Sequence, residues 1–294
     1  MTGHGASEPA NQLHIEQLTE SYRFDEELAH LLTQFQYRED GIALTAAKSR
    51  PLPTESIDST TAGQQAVFEA GSSLVFVCYD DRGHTMVNPI ETALVDALTT
   101  ALPHEQPPQP DGGTSEPLGE GPTPDTRTTN TQTDDSPVTA RDRLSVGVVT
   151  PHNAQRGALD AVLPDTVQAN TVEKYQGGER DVIAVSATVS DPGFARKEEQ
   201  FILNPRRLLV AISRSKLLTV VVCSTALFEV TPADSERLDD GPVWARLFTQ
   251  AVGRDPDPAW AGPLVEFIGD EDGDHANVPV RIYPSDIDTS GGEQ

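Results

Sequence analysis

Residues 181–223 read DVIAVSATVSDPGFARKEEQFILNPRRLLVAISRSKLLTVVVC. Two apolar runs, 181–187 (DVIAVSA) and 218–223 (LTVVVC), bracket a segment that opens on Asn204-Pro205 and carries Leu208, Leu209 and Ile212 at helical spacing. A short run with no polar alternation is a strand buried on both faces. An Asn-Pro pair ahead of an apolar stripe is a helix start. Strand, helix and strand in that order predict an α/β chain with a parallel sheet covered by helices on both faces.

The same grammar extends upstream. Residues 73–79 and 145–149 (SVGVV) read as further buried strands, with a short one at 170–172. Residues 154–163 read as a helix, and Phe24, Leu28, Leu31, Leu32 and Phe35 recur at helical spacing. Asn88-Pro89-Ile90-Glu91 carries a capping side chain, a proline in the first turn and a glutamate at capping-box spacing. Residues 40–66 read as loop. Residues 103–141 hold Pro, Gly, Thr, Asp and Glu with almost no large apolar side chain. Such a stretch cannot bury enough surface to offset chain entropy, so it is expected to be a disordered acidic insertion. The expected organisation is a flexible start at 1–12, one α/β domain over 13–228 and an acidic extension over 229–294. In that extension 244–252 reads as a helix and VPVRIYP (278–284) as an edge strand.

The chain has 294 residues, enough to bury about 75% of its unfolded surface as one unit without disulfide staples. Cys78 and Cys223 lie in separate apolar runs and read as small buried hydrophobes. No stretch reaches the roughly 18 apolar residues of a membrane span, and no cleavable leader is visible. A cytoplasmic protein with no membrane partner is expected.

Lys+Arg total 21 against 46 Asp+Glu, a net charge of −25. Taken alone, that balance argues against a nucleic-acid binder. An acid-rich surface with four lysines also suits concentrated salt, where the Debye length falls to about 3 Å at 1 M. In that halophilic setting, local arginines matter more than net charge.

No phosphate loop of the form G-x-x-x-x-G-K-[ST] occurs; the nearest string, 41–49, has Lys48 misplaced and no second glycine. Asp80-Asp81 closes a strand without such a loop upstream and reads as a polar turn. The seven histidines are scattered, and no nucleophile elbow exists.

Three strings stand out: 150–156 (TPHNAQR) after a strand, 171–186 (TVEKYQGGERDVIAVS) running into one, and 204–216 (NPRRLLVAISRSK). Polar residues at strand ends of such sheets are where ligands bind. Arginine offers planar donors to phosphate. Taken singly, each string also reads as a helix cap, a glycine turn or a solvated face.

In this order the three strings resemble motifs IV, V and VI of superfamily-one helicases. The branch is the one that contains the nonsense-mediated-decay RNA helicase and the replication helicase-nucleases. Residues 18–37 (LTESYRFDEELAHLLTQFQY) resemble that family's segment between motifs III and IV. The resemblance implies the second RecA-like domain of such a motor. It implies that Tyr22 stacks on adenine, Arg23 reaches the γ-phosphate, Gln176, Gly177 and Glu179 lie against the nucleotide, and Arg214 is the arginine finger. It implies that Thr150, Pro151, His152 and Thr171 follow a single strand of DNA or RNA. Ser213 and Ser215 replace the usual Thr and Ala of motif VI.

Motifs I, Ia, II and III have no counterpart, so the expected Mg2+ ligands and phosphate loop belong to a first RecA-like domain, in cis or in trans. The expectation is the C-terminal half of an ATP-dependent helicase, not hydrolytic alone. The alternative is a non-hydrolytic remnant that binds nucleic acid or a partner motor.

Overall fold

The computed structural model describes residues 20–21, 24–37, 43–46, 51–104, 143–175, 178–233, 242–270 and 275–287. The 1–12 segment and nearly all of the 103–141 insertion lie outside them.

Buried apolar runs become the inner strands of a seven-stranded sheet. In chain order the strands are β3 (Leu74–Tyr79), β4 (Val146–Thr150), β5 (Gln168–Thr171), β6 (Arg180–Ser186), β7 (Ser215–Ser224), β8 (Trp260–Pro263) and β9 (Pro279–Pro284). A separate parallel pair, β1 (Glu20–Ser21) and β2 (Thr45–Ala46), precedes them. The sheet order is β5-β4-β6-β7-β3-β9-β8. Its first five members are all parallel, while β9 joins β3 and β8 antiparallel. This is the α/β parallel sheet that the buried runs predict, and it fits the RecA-like fold that the resemblance implies.

Side chains alternate between two cores. On β3, Leu74, Phe76 and Cys78 face one core and Val75, Val77 and Tyr79 the other. The first core lies under α1 (Glu26–Leu32), α5 (Pro192–Lys197), α6 (Glu199–Ile202), α7 (Pro205–Ile212) and α8 (Val243–Val252). The second lies under α2 (Ala62–Phe68), α3 (Pro89–Thr100), α4 (Asn153–Asp160) and α9 (Leu264–Ile268). Cys78 and Cys223 are fully buried and lie side by side in the β3–β7 register.

Three readings change. Residues 40–66 are not all loop: Thr61 accepts a hydrogen bond from the Gln64 amide and starts α2. A short turn of helix forms at Thr54–Ser56. The stretch between β6 and α7 folds into α5 and α6, each too short to show a period. The stretch after residue 229 is built into the cores through Trp244, Leu247, Phe267, Val280 and Ile282. Residues 279–284 form not an edge strand but an inner one, with β8 outside it.

Candidate functional site

Because β3 to β7 are parallel, their C-terminal ends share one edge of the sheet and their N-terminal ends the other. The two edges carry different groups of the residues singled out above.

At the C-terminal edge, Thr150 ends β4 and Thr171 ends β5, opposite each other in register. Thr150 is fully buried, and its hydroxyl lies 2.8 Å from that of Thr188. The Thr171 carbonyl accepts from the Lys174 and Tyr175 amides, which turns the chain sharply after β5. Tyr175 is then buried against Gly147, where a Cβ would lie 1.9 Å from the tyrosine hydroxyl. Pro151 borders a small cavity of about 30 Å³, shared with Val172, Phe201, Ile202, Arg207 and Trp244. His152 caps α4 by backbone position alone. Its ring packs edge-on to Phe194 at 6.0 Å, and Nε2 has no hydrogen-bond partner among the described residues. Burial, with Arg207 nearby, holds the His152 imidazole below its ordinary pKa.

Above the same edge sits a buried polar network. The glutamate at capping-box spacing does not close the box. Asn88 Oδ1 accepts from the Ile90 and Glu91 amides, but the Asn88 amide donates to Gln155 Oε1 at 2.8 Å. Glu91 turns inward instead. Its carboxylate accepts from the Tyr79 hydroxyl (2.7 Å), the Ser186 hydroxyl (2.5 Å) and the Thr188 amide (2.7 Å). Burial pushes the Glu91 carboxyl up to about 7, against the three hydrogen bonds that lower it. The same burial, with Glu91 beside it, pushes the Tyr79 phenol up. Asn88 Nδ2 donates to the Tyr79 hydroxyl and to the Thr188 carbonyl. Thr188 itself sits at φ 67°, a left-handed conformation costly for a β-branched residue. Bonds at its amide, hydroxyl and carbonyl hold it there.

At the N-terminal edge, Glu179 immediately precedes β6 and Arg214 immediately precedes β7. The Arg214 carbonyl accepts from the Arg180 amide at 3.1 Å, so the two segments are tied together. Arg214 Nε donates to the Val210 carbonyl at 3.1 Å, which turns the guanidinium back along the last turn of α7. A cation there matches the negative end of the helix dipole. A cleft of about 530 Å³ opens on the same edge between Asp25, Leu52, Ser73 and Leu218. Asp25 caps α1 and lies two residues after Arg23 in the chain. Tyr22, Arg23, Gln176 and Gly177 lie outside the described residues.

Helix α7 connects the two edges. It starts beside Thr150 and Pro151, where Arg207 lines their cavity, and ends at Ile212, two residues before Arg214. From the sequence, Arg206-Arg207 reads either as phosphate donors at a helix start or as a solvated face, and Arg206 is exposed. The structure instead sets the Arg207 guanidinium over the Phe201 ring at 4.5 Å and pairs it with the Glu173 carboxylate. Burial raises the Glu173 carboxyl, and its hydrogen bonds together with Arg207 more than offset that, leaving it below the ordinary value. Among the described residues, no group of three or more His, Cys, Asp or Glu side chains could hold a metal ion. Nor is any helix among them long and apolar enough to cross a membrane.

Comparison with known proteins places the chain in a family. A family model described as an AAA domain matches residues 6–226, well over half of the chain. The DNA polymerase alpha-associated DNA helicase A of Saccharomyces cerevisiae is 37% identical over 83 residues, 26% of this chain and 12% of that protein. The DNA replication ATP-dependent helicase/nuclease JHS1 of Arabidopsis thaliana is 29% identical over 92 residues, 31% of this chain and 7% of that protein. The Regulator of nonsense transcripts 1 homolog of Drosophila melanogaster is 31% identical over 87 residues, 26% and 7% respectively. The aligned stretches therefore span about a tenth of these relatives or less.

Proposed function

The chain belongs to the AAA domain family as a superfamily-one helicase domain of the decay and replication branch, and from that premise we propose that it is the second RecA-like half of an ATP-driven motor on single-stranded nucleic acid. The reading rests on the separation of its two residue groups. Glu179 and Arg214 lie at the N-terminal edge of the sheet, and Thr150, Pro151, His152 and Thr171 at the C-terminal edge, with α7 running between. One rigid body can then meet nucleotide on one side and strand on the other. Displacement at one edge moves the other, as a stepping motor requires.

In this reading Tyr22 stacks on adenine and Arg23 reaches the γ-phosphate. Glu179, Gln176 and Gly177 border the nucleotide. Arg214 leaves the Val210 carbonyl and places its guanidinium on the charge that develops during phosphoryl transfer, an effect worth ~10³-fold or more in rate. Backbone amides beside Thr150 and Thr171 contact strand phosphates without net charge, which suits an acidic protein, while the two buried threonine side chains hold the strand ends in place. The chain carries no phosphate loop, so in this reading a first domain in cis or in trans supplies it together with the Mg2+ ligands.

The test is ATP turnover by this chain at about molar potassium chloride, where surface repulsion is screened, with and without a single strand. It is run beside Arg214→Ala. No turnover under any condition is expected. Turnover that Arg214→Ala abolishes would reveal a complete nucleotide site within the chain and would overturn the reading.

A further inference from the structure

Residues 194–207 read FARKEEQFILNPRR and carry Arg196, Lys197, Arg206 and Arg207, four of the 21 cations in a chain of net charge −25. Arg196 and Lys197 fall in the last turn of α5, where cations suit the helix dipole. Arg206 and Arg207 fall in the first turn of α7, where they oppose it. Helix stability therefore does not account for the second pair. Arg206 is exposed, and Arg207 is half-buried at the cavity rim.

Phe201 is 45% exposed, one of four large apolar side chains left open to solvent among the described residues. It is not a stray core residue turned outward, because Ile202 and Leu203 beside it fill the core. The Arg207 guanidinium covers the ring, and Glu173 fixes the guanidinium in place. The result is a pre-oriented pair, one aromatic ring and one planar cation, at the rim of the cavity that Thr150 and Pro151 also line. At about 30 Å³ that cavity takes a water or two and no more, so a flat ligand lies across the rim instead of entering. An open ring, a planar cation and flanking arginines at the end of a strand match a nucleobase with its phosphate.

We infer that Phe201 and Arg207 form a base-stacking subsite on the single-strand surface beside Thr150 and Pro151. This rests on the strand surface proposed above and adds what that surface reads: a base face, without regard to sequence. The backbone at the ends of β4 and β5 holds phosphates, and the Phe201–Arg207 pair holds one base.

The experiment compares a thymidine oligonucleotide with an abasic strand of the same length, by equilibrium binding to the full chain at matched salt. Wild-type protein is expected to prefer the base-bearing strand. Phe201→Ala is expected to lose about tenfold on that strand, as one stacked base contributes, and nothing on the abasic one. Arg207→Ala weakens both strands, the base-bearing one more. Val162→Ala removes an equally exposed apolar side chain elsewhere and leaves both affinities unchanged. If Phe201→Ala binds both strands as wild type does, the subsite is overturned and the strand surface stands. If wild type binds both strands equally, the subsite falls in the same way. If wild type binds neither strand, the strand surface and the subsite fall together.

Discussion

The two edges of the sheet are held by different means. At the C-terminal edge, Tyr79, Asn88, Glu91, Gln155, Ser186 and Thr188 bond to one another out of reach of water. At the N-terminal edge, half-exposed carboxylates hold serines. Asp181 accepts from the Ser145 amide and hydroxyl. Glu27 on α1 accepts from the Ser73 amide and hydroxyl and from the Ser285 hydroxyl. A bond in low dielectric is strong, and its loss strands buried partners. A bond near solvent is replaced by water at small cost. The edge proposed for the strand is thus the stiffer one, and the edge proposed for nucleotide is the one free to rearrange.

Removing Glu91 should break this contrast most severely. Glu91→Ala leaves the Tyr79 hydroxyl, the Ser186 hydroxyl and the Thr188 amide without their acceptor and opens a cavity. A loss of about 3–5 kcal/mol is expected in urea unfolding. A loss below about 1 kcal/mol would show that water reaches the network and that the two edges do not differ.

The next effect is one of pH. Glu91 has a folded pKa of about 7 against an ordinary 4.5. Below 4.5 both folded and unfolded chains hold the proton. Between 4.5 and 7 the unfolded chain releases it first, so stability contributed by Glu91 falls as pH rises through that window. The fall amounts to about 3 kcal/mol. The stability difference between wild type and Glu91→Gln should shrink by that amount from pH 4.5 to pH 7. Parallel stability curves would remove the buried carboxyl from the account.

The smallest effect belongs to the other edge. Glu27→Ala should cost about 1 kcal/mol, since Glu27 is only half-buried and the Ser285 hydroxyl keeps the Leu74 carbonyl as an acceptor. It should also raise amide exchange in α1, which that carboxylate ties to β3 and to Ser285. A cost as large as that of Glu91→Ala would erase the contrast from the other side.

The strands 73–79, 145–149, 181–187 and 218–223 were legible because a strand buried on both faces is apolar at every position. Helix α2 was not. Its Ser/Thr-rich approach looks like loop, and its seat depends on Gly63, where a Cβ would lie 2.5 Å from the Phe267 ring some 200 residues away. Strand β8 and helix α9 have four and five residues, too few to show a period. Near Asn88 the cap was readable and the destination of Glu91 was not, because two of its partners lie 95 and 97 residues further on. In the candidate site, the strand-end positions of Thr150, Thr171, Glu179 and Arg214 follow from sequence order alone. The contact of Arg214 with Val210 and the stacking of Arg207 on Phe201 depend on how α7 and α6 lie, which local pattern does not encode.

The antiparallel seat of β9 bears on how the protein is made. Strand β3, LVFVCY, is flanked by β7 and β9, and both are translated after it. Its second neighbour emerges about 200 residues later. At ordinary translation speeds that is roughly 10–40 s during which the most apolar strand of the sheet has an unpaired side. An abundance of acidic residues, which keeps nascent chains apart by repulsion, is a fitting companion to so late a closure. In a cell, this domain is sensitive to whatever binds its nascent chain before residue 284 has left the ribosome.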